Sequence, residues 1–144
     1  MRLKTARSAV RSRPCPPQTP LRFRDLVRAD PAGQELYHQV ERGELSQPEF
    51  ERRIARLLGV APDGLVRGLL ADLRPDPLMA DAVAQARAAG IRTGVISNSW
   101  GTAPFDPYAG YQLDEQFDAV VISSDVGIRK PDRLSTCWRP TSLA

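Results

Sequence analysis

Apolar residues first fall into a helical rhythm after Ala32, where Leu36, Tyr37 and Val40 share one face and the segment stops near Gly43. The next segment carries its own punctuation. Ser46, with Glu49 three residues on, forms a capping box; Phe50, Ile54, Leu57 and Leu58 follow at i, i+4, i+7 and i+8, and Gly59 ends the run. A shorter helix is predicted from Pro62 through Leu65, Val66, Leu69 and Leu70 to Leu73. A fourth starts after Arg74-Pro75, turns Leu78, Met79, Ala82, Val83 and Ala86 inward, and closes at Gly90 as a C′ residue. Helices thus precede any strand.

The period then changes from helical to extended. Ile91 to Ile96 reads as a strand whose polar end falls at Ser97, and Asp118 to Ile122 reads as a second. Between them lies a Gly, Pro and Tyr-rich loop from Trp100 to Gly110, with a short helix around Tyr111 to Phe117. This order predicts parallel pairing through a right-handed crossover, which puts Ser97 and Ser123 along one rim of the sheet. Ligands of open α/β sheets bind at that rim. The fold class is therefore α/β.

Composition agrees with a folded domain: 144 residues, 42% hydrophobic and 26% charged. The net charge of +3 hides an asymmetry, because residues 1–24 hold seven basic groups and no acid, while the remainder carries thirteen basic against seventeen acidic groups. Pro14, Pro16, Pro17 and Pro20 lie among these arginines, and the stretch from Met1 to Pro20 is expected to be disordered. Its arginines have no interleaved aromatic residues, so no specific nucleic-acid partner is expected. Cys15 and Cys137 lie far apart, outside any metal or redox spacing, which suits a reducing cytoplasm. No apolar run reaches the length of a membrane span.

Candidate chemistry concentrates between Ile91 and Asp132. An apolar strand ends in Ser97-Asn98-Ser99, a second ends in Ser123-Ser124-Asp125, and a Gly127-Ile128-Arg129-Lys130-Pro131-Asp132 turn places Lys130 thirty-three residues after Ser97. Taken singly, Ser and Asn turn a chain and most lysines are solvated. Together, these segments resemble the second and third motifs of the haloacid dehalogenase-like (HAD) hydrolase superfamily. Gly43-Glu44-Leu45-Ser46 opening a helix, and Leu73-Arg74-Pro75 before the next, resemble the small helical cap of its phosphatase and dehalogenase branch. The likeness covers about Asp25 to Asp132.

The resemblance implies a partial Rossmannoid core, two parallel strands retained, with a helical cap segment. On it the chain divides into a basic tail (1–24), a cap-like segment (25–74), a partial core (75–132) and an irregular tail (133–144). It implies catalytic roles for Ser97, as donor to a phosphoryl or carboxylate oxygen, and for Lys130, as fixed positive charge. Asn98 would orient the substrate, and Asp125 would position the lysine. The implied substrate is a small anion, a phosphate monoester or a 2-haloacid, and the implied cofactor is Mg²⁺, for which no ligands are identifiable in this chain.

The same likeness exposes gaps. The family's first motif is an apolar strand followed by Asp-x-Asp, whose first Asp attacks the substrate and whose second acts as acid and base. Leu21 to Asp25 and Ala29-Asp30-Pro31 offer no such strand, and Asp-x-Asp occurs nowhere. A distal acidic pair that would complete a metal site is also expected to be missing. The expectation is a hydrolase copy, truncated or frame-shifted, that does not catalyse, with an open apolar edge on its strand pair. The alternative is a non-catalytic helical module for binding or oligomerisation; the oligomeric state is left open. A serine-hydrolase reading fails, since Ser97 lacks the Gly-x-Ser-x-Gly setting and the sole histidine, His38, lies mid-helix.

Overall fold

The computed structural model describes residues 16–132, so Cys15, Cys137 and the 133–144 tail lie outside it. Among these residues the chain is a mixed helix and sheet protein with two parallel strands. The elements run α1 (Thr19–Ala29), α2 (Pro31–Glu41), α3 (Gln47–Leu58), α4 (Leu65–Leu69), α5 (Pro77–Ala88), β1 (Gly94–Ser97), α6 (Leu113–Gln116), β2 (Ala119–Ile122) and α7 (Ser123–Val126).

α1 corrects the sequence expectation, because it begins inside the stretch assigned to a disordered basic tail. Pro20 sits in its first turn, where its fixed φ suits a helix and its missing N–H costs nothing. Phe23 then reaches the aromatic rings of Tyr37, Phe50 and Trp100, at centroid distances of 6.1, 6.4 and 5.5 Å. Arg22 donates through Nη2 to the carbonyl of Leu58 at 2.7 Å, satisfying an orphan acceptor at the end of α3. Residues 19–24 therefore belong to the folded unit.

The helices pack around Val40, Phe50, Ile54, Leu58, Leu65 and Val66, all buried. α3 keeps the bounds its sequence announces. The Ser46 hydroxyl accepts from the Glu49 N–H at 3.4 Å, and Gly59, at φ +67°, ends the helix with Val60 N–H bonded to the Ala55 carbonyl. The return half of the capping box is absent, because the Glu49 carboxylate pairs with Arg52 and Arg53 instead. α4 is shorter than predicted, five residues within the Pro62 to Leu73 span.

α5 departs further from expectation. It begins at Pro77 behind the Asp76 cap and ends with Gly90 at φ +78°, as anticipated, yet none of its residues is buried. Leu78 is 78% and Met79 62% exposed. The spacing places an apolar face on α5, but no layer among the described residues covers it.

β1 and β2 pair in parallel, in register from Gly94 against Ala119 to Ser97 against Ile122. The Asp118 carboxylate takes the Thr93 N–H at 2.7 Å and lies 3.5 Å from the Arg87 guanidinium, fixing the entrance of the pair. Among the contacts that join the sheet side to the helical layer, two involve the chain after β2. Gly43, at φ +70°, brings the α2–α3 turn so close to Ser124 that a Cβ there would lie 2.2 Å from the Ser124 carbonyl oxygen. Glu41, 2% exposed, pairs with Arg129 at 2.7 Å.

Candidate functional site

Ser97 ends β1 opposite Ile122, the last residue of β2, and Ser123 follows at once, so both serines lie at the rim predicted from the strand order. β2 runs directly into α7, one turn long, which Gly127 stops in a left-handed conformation at φ +70°. That reversal sends the chain back across the end of β1. Asn98 meets it with both ends of its amide: Oδ1 accepts from the Lys130 N–H at 2.8 Å and Nδ2 donates to the Lys130 carbonyl at 3.1 Å.

The lysine side chain folds over the same corner, its Nζ donating to the Ile96 carbonyl at 2.6 Å. An ammonium has three donors, so two remain for another acceptor. The Ser97 hydroxyl shares a 2.7 Å hydrogen bond with the phenol of Tyr108. The two motif segments thus meet through Asn98 and Lys130, while the Ser97 hydroxyl turns to Tyr108 and the Asn98 carbonyl. Asp125 does not join them. Its carboxylate takes the Ser124 hydroxyl at 3.3 Å, and the lysine it was expected to hold is bonded to Ile96.

The loop after β1 supplies what the sequence left unassigned. Trp100 enters the aromatic cluster, 5.4 Å from Phe50 and 5.8 Å from Tyr37. Gln47, 2% exposed at the start of α3, grips the loop through three hydrogen bonds: Nε2 to the carbonyls of Gly101 (2.8 Å) and Phe105 (2.7 Å), and Oε1 from the Phe105 N–H (3.1 Å). The loop is therefore held at both ends of this stretch, and Tyr108 follows from it. Nothing in the periodicity marks Gln47 or Tyr108, since the first reads as an ordinary helix-start residue and the second lies in irregular chain.

A cavity of about 660 Å³ opens beside Ser97, between α5, β1 and the loop. Its polar end is formed by Ser97, Asn98, Ser99 and Tyr108. Tyr37 also lines it; burial, and secondarily the Glu41 carboxylate, push that phenol's pKa up, so it stays neutral across the physiological range. Ser99 is 4% exposed; its backbone N–H donates to Ser123 Oγ at 2.9 Å, while its own hydroxyl has no partner among the described residues.

The rim suits an anion better than a cation. Its groups are hydroxyls, one amide and an ammonium, whereas Mg²⁺ is held through carboxylate oxygens and water. Among the described residues no cluster of three or more His, Cys, Asp or Glu side chains could hold a metal. Asp25, the carboxylate nearest the expected first-motif position, lies exposed on α1, 3.1 Å from Arg24. His38 sits in α2 with its ring 6.5 Å from that of Tyr37, and Ser97 has a phenol rather than an imidazole beside it. Among the described residues no helix is long and apolar enough to cross a membrane.

Comparison with models of known protein families, with characterised proteins and with solved structures finds no match.

Proposed function

We propose that this chain is a HAD-like hydrolase relative that binds a small anion, a phosphate ester or carboxylate, at the C-terminal end of β1 and does not hydrolyse it. One observation carries the reading: the two-bonded clamp of Asn98 on the Lys130 backbone, which sets the lysine beside the strand that Ser97 ends. Ser97 and Lys130 would then hold an oxyanion by a hydroxyl and a fixed charge, the roles that the motif resemblance implies for them. Asp125 has no part in it.

The absence of turnover follows from inventory rather than from shape. Phosphoryl transfer through an aspartyl intermediate needs an attacking carboxylate and charge neutralisation of the leaving oxygens. The sequence has no Asp-x-Asp, and the donor set at the rim does not fit Mg²⁺, so no step is assigned to the ion.

The test is calorimetric titration with inorganic phosphate beside an assay of 4-nitrophenyl phosphate with Mg²⁺. Binding weakened about tenfold by Ser97→Ala and by Lys130→Ala, with hydrolysis at background, is the expected result. Hydrolysis abolished by either substitution would overturn the inactivity; phosphate binding indifferent to both would overturn the site.

A further inference from the structure

We propose, building on the anion-binding reading above, that the cavity beside Ser97 takes the organic body of the ligand, and that this body is flat, apolar and uncharged. Its volume of about 660 Å³ lies within the roughly 300–1,000 Å³ of small-molecule sites. Met79 and Val83 of α5 form one wall, and Trp100, Tyr111 and Phe117 supply aromatic surface. α5 has the apolar face of a packed helix but buries none of its residues, so an apolar body here would cover surface that the fold leaves in water.

Charge narrows the choice. Asp76 is the one charged side chain lining the cavity among the described residues, and its Oδ1 accepts from the N–H groups of Leu78 and Met79 at 2.9 and 3.3 Å. Lys130 lies outside, against the Ile96 carbonyl. An anionic group inside the cavity would therefore be desolvated without a counter-charge, a cationic one would meet only Asp76, and a mostly apolar lining would leave many hydroxyls of a polyhydroxylated body unmatched. Ser97, Asn98 and Tyr108 gather polar groups at one end. There the hydroxyls of Ser97 and Tyr108 and the amide of Asn98 favour a ligand that carries an oxygen or N–H at that end. An aromatic ring system joined to an anion meets both requirements.

The experiment titrates the full chain calorimetrically with inorganic phosphate, 2-naphthyl phosphate and 2-naphthol. The naphthyl phosphate is expected to bind at least about tenfold more tightly than inorganic phosphate. Filling the cavity by Val83→Trp should remove that advantage and leave the affinity for inorganic phosphate as it was. Ala80→Phe, from the same exposed wall, provides a second filling should the first perturb folding. Equal affinities for the two phosphates, or an advantage that survives both fillings, would overturn the inference while the anion site stands. If inorganic phosphate fails to bind but 2-naphthol binds in a filling-sensitive way, the anion reading falls and the apolar cavity stands as a neutral site. If no probe binds, both are wrong.

Discussion

Val40, Phe50 and Ile54 have no exposed surface, whereas Leu78 and Met79, placed on one face of α5 by the same spacing, stand 78% and 62% exposed. The helical layer and the sheet side are built from similar residues, yet the large buried cluster lies in the first, and the second buries only Val121 and Ile122 among its described apolar side chains. In the helical layer each apolar stripe meets another: α1 packs on α2, α2 on α3, and α3 on α4. On the sheet side α5 faces a pair of strands four residues long, too narrow to cover a helix. Periodicity thus tells which side of a helix is apolar. Whether that side is buried depends on a second layer, which the helix's own sequence does not encode.

The comparison can be broken most directly by truncating one residue on each side. Phe50→Ala should cost about 3–5 kcal/mol in urea unfolding, and Leu78→Ala less than about 0.5 kcal/mol. Similar costs at the two positions would mean that α5 is covered in solution. A smaller effect is expected at the joint between the regions. Gln47→Ala removes the three hydrogen bonds that fix the loop, for a loss of about 2 kcal/mol, and should speed hydrogen exchange at the Phe105 amide far more than at Ile54. Uniform acceleration would instead make Gln47 part of the helical core.

The smallest effect sits at the entrance of the strand pair. The Thr93 N–H bonded to Asp118, and then the Arg87 charge, hold its carboxyl below the ordinary range. A group with a depressed folded pKa stabilises above its unfolded value and loses that contribution as pH falls through the folded one. The midpoint difference between wild type and Asp118→Asn should therefore be present at neutral pH and vanish in acid. A difference that persisted below the ordinary carboxylate range would assign it to packing rather than charge.

Legibility in the sequence divides along the same boundary. The bounds of α3 and the Gly90 stop are local patterns, set by caps and a left-handed glycine, the parallel pairing follows from the order of the elements, and each is found. The meeting of Asn98 with Lys130 is legible only through motif resemblance. α1 was hidden because its arginines and Pro20 read as a tail; what orders it is Phe23 docking on Tyr37, Phe50 and Trp100, partners up to seventy-seven residues away. Gln47 and Tyr108 were missed for the same reason: their partners are backbone atoms and a hydroxyl far along the chain, and no spacing rule reports them.

The grip of Asn98 on residue 130 engages the main chain alone, through atoms that every amino acid except proline would present in the same way. The side chain adds one bond of its own, from Nζ to the Ile96 carbonyl, so exchanging the ammonium would forfeit that bond while the grip that sets the bend stays in place. Charge at this position can therefore change at the cost of a single contact, without the scaffold having to follow.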